Sequence, residues 1–129
     1  MQNEEYMGSR MANRGVVLIV EDEPLIQMLA MEIVERAGHA TLVASNASEA
    51  LEILEQTPDI DVVFTDVKMP GVMDGLQLAW EVRNRWPHVR IVVASGYVPN
   101  TTIDLPEGVP FLAKPYHPVT LEKMISTAA

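Results

Sequence analysis

A chain of 129 residues without cysteine is enough for one compact domain with its own core, and it excludes disulfide frameworks, thiol catalysis and cysteine-held zinc. The net charge of −9, with only nine scattered lysines and arginines, argues against a nucleic-acid footprint. No apolar run approaches bilayer length, and acidic residues stand where a signal peptide would be basic, so the expected setting is the cytoplasm, with no membrane partner.

Residues 1–14 (MQNEEYMGSRMANR) have no sustained periodicity and read as a flexible tail, partly foreign at Gly8-Ser9, with Met11 as a plausible second start. Residues 15–129 read as the domain. Residues 16–20 (VVLIV) form a continuous β-branched run, the mark of a strand covered on both faces. Pro24 suits a first helical turn, Ile26, Leu29, Ile33 and Ala37 follow near helical spacing, and Gly38 supplies a stop. Residues 41–44 form a second strand. Asn46 and Glu49 are spaced as a capping pair for a helix whose inner face holds Ala47, Ala50, Leu51 and Leu54.

The alternation continues through a third strand over 61–65 and a helix over 75–85 with Leu76, Ala79 and Val82 as its stripe, ended by Pro87. Further strands are expected at 90–94 and 110–113, and a last helix from Pro118 with Leu121 and Ile125 one turn apart. Between the last two strands, residues 97–109 (YVPNTTIDLPEGV) hold two prolines, one glycine and no helical stripe, so any helix there is short or irregular. Alternating strands and helices of this length predict an α/β, flavodoxin-like, doubly wound five-stranded parallel sheet of order 2-1-3-4-5.

In such a sheet the site lies beyond the carboxyl ends of the strands, at the switch in winding direction. After the first strand come Glu21, Asp22 and Glu23; after the third, Asp66; after the fourth, Ser95-Gly96; after the fifth, Lys114-Pro115. Several carboxylates, a lysine and a small hydroxyl thus converge. Carboxylate oxygens suit a hard cation such as Mg²⁺, and a charge-neutralised carboxylate can attack phosphorus. Each residue alone has a plainer reading: a helix-start acid cluster, a turn-capping aspartate, a strand-end serine, a solvated lysine. All four strand ends together do not.

The segments 20–23 (VEDE), 66–75 (DVKMPGVMDG), 94–97 (ASGY) and Lys114-Pro115, in this order, resemble the receiver domain of two-component response regulators from Val16 onward. The resemblance implies a phospho-acceptor switch that is not an enzyme beyond its own phosphorylation and dephosphorylation. It places the phosphorylated aspartate at Asp66 and Mg²⁺ on Asp22, Asp66 and the Lys68 backbone carbonyl, with Glu21 acting through water. It further implies phosphoryl-facing roles for Ser95 and Lys114, a cis Lys114-Pro115 bond, and switch residues at Ser95, Phe111 and Tyr97. A sensor histidine kinase or histidine phosphotransfer protein would supply the phosphoryl group. A downstream protein would read the result through contact with a monomer or weak homodimer, with no attached output domain.

Two departures stand out. The stretch 69–75 is one residue longer than the commonest pattern of the family, and Ser95-Gly96-Tyr97 resembles a subgroup with an altered switch, in which the bulk of Tyr97 is expected to slow loss of the phosphoryl group. Competing readings are a phosphate sink or receiver cut from a hybrid kinase, and a non-phosphorylated receiver-like interaction module. A Mg²⁺ phosphatase is disfavoured, because Lys68 stands where it would need a general acid. Trp80, Trp86, His39, His88 and His117 read as structural or surface residues.

Overall fold

The computed structural model describes residues 15–96 and 104–127. In chain order these form β1 (Val16–Val20), α1 (Pro24–Arg36), β2 (Ala40–Ala44), α2 (Ala47–Gln56), β3 (Ile60–Asp66), α3 (Gly75–Arg85), β4 (Arg90–Ser95), β5 (Phe111–Ala113) and α4 (Pro118–Thr127). The strands pair in parallel in the order β2-β1-β3-β4-β5, as the alternation predicts. The expected tail, 1–14, lies outside the described residues. None of the described helices is long and apolar enough to cross a membrane.

Strand side chains alternate between two faces, and each face has its own core. Leu18, Val20 and Val63 pack with Leu54 of α2 and with Leu78 and Val82 of α3. Val17, Ile19 and Phe64 pack with Val34 of α1 and with Leu121 and Ile125 of α4. Both faces of the sheet are therefore dry, which is why the strands read as unbroken apolar runs.

Local chemistry sets the helix ends. Pro24 opens α1 behind Glu23, whose side chain makes no capping hydrogen bond, and Gly38 follows its end at φ 98°. Asn46 caps α2 by accepting from the Glu49 amide at 2.8 Å, but Glu49 turns its carboxylate to the amide of Ser45 instead of Asn46, so the expected pair closes one residue early. The stripe expected on α3 also shifts. Leu78 is fully buried and Leu76 only half-buried, because Asp74 and Gln77 form a reciprocal capping box that fixes the turn by which the helix enters.

The short or irregular helix expected over 97–109 falls partly on 97–103, outside the described residues; residues 104–110 form no helix. This segment is fastened to α3 instead. The Trp80 indole donates to the Asp104 carbonyl at 3.1 Å, and the Arg83 guanidinium donates to the Glu107 carbonyl at 2.8 Å. Pro106 and Val109 are buried beneath it.

Candidate functional site

Sheet register brings the site residues level. Val20 lies opposite Thr65, so Glu21 leaves β1 beside Asp66. Asp66 lies opposite Ala94, and Ser95 opposite Ala113, so Ser95 and Lys114 each stand one step beyond the neighbouring partner. A hydrogen bond of 2.9 Å from the Lys114 amide to the Ser95 carbonyl extends the ladder to this point. Strands β3 and β4 run to Asp66 and Ser95, one residue further than the apolar runs indicate, so both side chains project from regular strand.

Glu21, Asp22 and Asp66 each offer a carboxylate oxygen within 4.8 Å of the others. Lys114 sits against two of them, its Nζ 3.1 Å from Glu21 Oε1 and 3.3 Å from Asp66 Oδ1. Three carboxylates against one ammonium leave two uncompensated negative charges, the complement of a divalent cation with oxygen preference. The donor set therefore fits Mg²⁺. Glu21 and Ser95 are buried, Asp66 is half-buried, and Asp22 and Lys68 are exposed around a cleft of about 400 Å³.

Burial raises the Asp66 carboxyl above its usual range by stripping water from the charged form; Lys114 opposes that rise, and Asp22 adds to it. Glu21 is raised for the same first reason, with the Glu23 amide and Lys114 working against the rise. For Lys114, burial disfavours the charge, but Asp66 and Glu21 outweigh it and hold the ammonium above its ordinary value. The acids are thus crowded and under-solvated while the lysine stays charged.

Against known proteins, the model of the response regulator receiver domain matches residues 17–126. The chain belongs to that family. This receiver domain is 34% identical over 112 residues to the sensor kinase CckA of Brucella abortus, covering 82% of this chain and 12% of that protein. It is 31% identical over 118 residues to the transcriptional regulatory protein BaeR of Escherichia coli O6:H1, covering 89% of this chain and 48% of that protein. The chain thus spans less than half the length of either relative. Among solved structures it is similar to the response regulator protein TrrA of Thermotoga maritima in complex with Mg²⁺-BeF, at TM-score 0.78 and 26% identity over 86% of this chain and 96% of that one. The receiver domain from the hybrid histidine kinase CckA matches at TM-score 0.73 and 33% identity over 86% and 95%.

The receiver's expected site residues divide into three groups. Glu21, Asp22, Asp66, Ser95 and Lys114 come together, with Lys68 on the rim, and the Lys114-Pro115 bond is cis. Phe111 stands on β5, half-buried against the α2–α3 core and level with Val93. Tyr97 lies outside the described residues.

Three contributors escape a strand-end reading. Gly75 places the start of α3 so close that a methyl group there would overlap the Asp66 carbonyl oxygen, and its amide donates to the Val67 carbonyl at 2.8 Å. Tyr116 packs edge-on against Phe64, ring centres 5.9 Å apart, behind the acid cluster. Gln27 reaches back from α1 to the Glu21 carbonyl at 3.0 Å. Of these, only the helix entry at Gly75 leaves a sequence signal, the Asp-x-x-Gln spacing of Asp74 and Gln77.

Proposed function

We propose that this receiver domain is the phospho-acceptor switch of a two-component relay, phosphorylated on Asp66 with Mg²⁺ and read through protein–protein contact. The observation that carries this reading is the ion pair of Lys114 with Glu21 and Asp66 at the mouth of a three-carboxylate cluster. Asp22, Asp66 and the Lys68 backbone carbonyl would hold the ion, with Glu21 contributing through water. When bound, Mg²⁺ supplies charge neutralisation among the acids and on the phosphoryl oxygens.

Asp66 acts as the nucleophile. One of its carboxylate oxygens attacks phosphorus, the bond from phosphorus to the donor's imidazole nitrogen breaks, and its electron pair returns to the ring. Lys114, held charged between Asp66 and Glu21, swings its ammonium to a phosphoryl oxygen, and Ser95 donates its hydroxyl to another. Phosphoryl transfer asks mostly for positioning and charge stabilisation, and these side chains offer both. Ser95, Phe111 and Tyr97 then carry the change to the surface by shifting the population of two conformations.

The donor is a sensor histidine kinase or a histidine phosphotransfer protein. An apolar groove of about 560 Å³ between α1 and α4 supports a protein donor, because Gly96 and Lys114 line both the groove and the acidic cleft. A partner seated there reaches Asp66 while covering Leu29 and the more exposed Leu25 and Met28.

Intact-protein mass after incubation with Mg²⁺ and acetyl phosphate tests the reading. A single phosphoryl adduct on the native chain, absent from Asp66→Asn and without Mg²⁺, is the expected result. Absence of both the adduct and Mg²⁺ binding contradicts it in favour of a receiver-like interaction module. The likeness to the CckA receiver favours a second reading, in which the same site belongs to a hybrid-kinase relay. There, Asp66 returns its phosphoryl group to a histidine phosphotransfer protein, which radiolabel transfer to such a protein measures.

A further inference from the structure

We infer that Gln27 is a positioning residue for the metal-binding acids, acting through the peptide bond that joins Glu21 to Asp22. The inference rests on the reading of Glu21, Asp22 and Asp66 as a Mg²⁺ site. Its basis is the hydrogen bond of 3.0 Å from Gln27 Nε2 to the Glu21 carbonyl oxygen.

The β1–α1 turn needs such a tether. At Glu21 the sheet supplies one last bond, from the Glu21 amide to the Ala44 carbonyl at 3.0 Å, and β2 ends there. The Glu21 carbonyl must find its donor elsewhere, since an unpaired carbonyl away from water is costly. Pro24 opens the following helix and has no N–H to offer, and the Glu23 amide is already taken by Glu21 Oε2 at 3.1 Å. Gln27 lies one turn into α1. Helical side chains lean toward the N-terminus, so its amide reaches back past Glu23 to the open carbonyl.

This bond fixes the orientation of one peptide plane, and that plane has an acid on either side. Glu21 is otherwise locked, with Oε1 on Lys114 and Oε2 on the Glu23 amide. Asp22 is exposed, so the direction of its carboxylate depends on the backbone that carries it. Rotation of the Glu21–Asp22 peptide swings Asp22 away from Asp66 while leaving the sheet untouched. Groups that orient metal ligands are typically worth about 10- to 100-fold in affinity.

Gln27→Met keeps the length and removes the donor. Mg²⁺ titration followed by amide NMR, together with the Mg²⁺ dependence of phosphorylation by acetyl phosphate, reads the effect. The half-saturating Mg²⁺ concentration should rise about 10-fold. The rate at saturating Mg²⁺ should stay within about twofold, because the bound ion restores the geometry that the tether sets. The Asp22 and Glu23 amide resonances should already differ from wild type in EDTA, with the melting temperature in EDTA lowered by no more than about 4 °C, the cost of one lost hydrogen bond. Half-saturation equal to wild type overturns the inference. Weaker binding accompanied by a melting temperature in EDTA lowered well beyond about 4 °C also overturns it, by assigning Gln27 to general stability. A wild-type chain that takes up no Mg²⁺ contradicts the reading of the site itself and the inference with it; normal uptake by both chains contradicts the tether alone.

Discussion

Strand β3 carries an aspartate near each end, and the two live in opposite circumstances. Asp61, near its start, is exposed and accepts the Val16 amide at 3.0 Å, a bond that ties the entrance of β1 to β3. Asp66, at its end, is half-buried and crowded by Glu21 and Asp22, with Lys114 as its counter-charge. Five residues apart on one strand, the same side chain is a solvated fastening at one end of the sheet and an under-solvated, charge-crowded group at the other. The difference lies in the neighbouring strand ends. At the amino end Asp61 meets a backbone donor and, further off, the charge of Arg90. At the carboxyl end the switch in winding direction collects acids from β1 and β3 in one place. On the proposed reading of Asp66, function there is set against stability.

The contrast can be tested by substitution. The largest effect is expected at Gly75, where a methyl group meets the Asp66 backbone and not a yielding side chain. Gly75→Ala should cost about 3 kcal/mol in urea unfolding and displace the Asp66 loop, since overpacking against rigid neighbours is poorly relieved. A loss below about 1 kcal/mol would mean that α3 slides without strain.

Next comes Asp66→Asn, which removes a desolvated charge from beside two like charges. In EDTA at neutral pH it should stabilise the domain by about 1 kcal/mol, or roughly 4 °C in melting temperature, although Lys114 loses one partner. The sign follows from linkage. A carboxyl raised above its ordinary value of 3.8 keeps its proton longer in the folded chain, so its contribution to stability falls as pH rises through the raised value. The advantage of Asp66→Asn over wild type should therefore shrink as pH falls through that window, and Mg²⁺ should reverse it by binding the native chain only. Urea midpoints measured against pH, with and without Mg²⁺, check both signs.

The smallest effect belongs to the other end of the strand. Asp61→Ala should destabilise by about 0.5 kcal/mol through loss of one exposed hydrogen bond, and it should leave Mg²⁺ binding unchanged. Stabilisation at Asp61, or destabilisation in EDTA at Asp66, would erase the distinction between the two aspartates.

The sequence makes the sheet order and most of the acid cluster legible for one physical reason. A parallel sheet brings the ends of its strands together, so residues just after an apolar run can be placed without seeing side chains. Glu21, Asp22, Asp66, Ser95 and Lys114 all obey that rule. Gln27 does not, because its role depends on which way a helical side chain leans and on a proline that withholds a donor. Leu78, in place of Leu76, joins Ala79 and Val82 on the buried face of α3 because the Asp74–Gln77 box sets the rotation of the helix. The fastening of 104–110 is hidden for another reason: Trp80 and Arg83 each bind a carbonyl 24 residues away, and a backbone acceptor leaves no trace in sequence.

The central claim is that Asp66 itself carries the phosphoryl group, and chemical trapping tests it most directly. Protein incubated with Mg²⁺ and acetyl phosphate is reduced with borohydride, which converts an aspartyl phosphate to homoserine, and the site is located by peptide mass spectrometry. Conversion at Asp66 alone, absent without Mg²⁺, is the predicted result. Conversion at Asp22, at Asp61 or at no aspartate of a chain that binds Mg²⁺ and gains a phosphoryl adduct would contradict it.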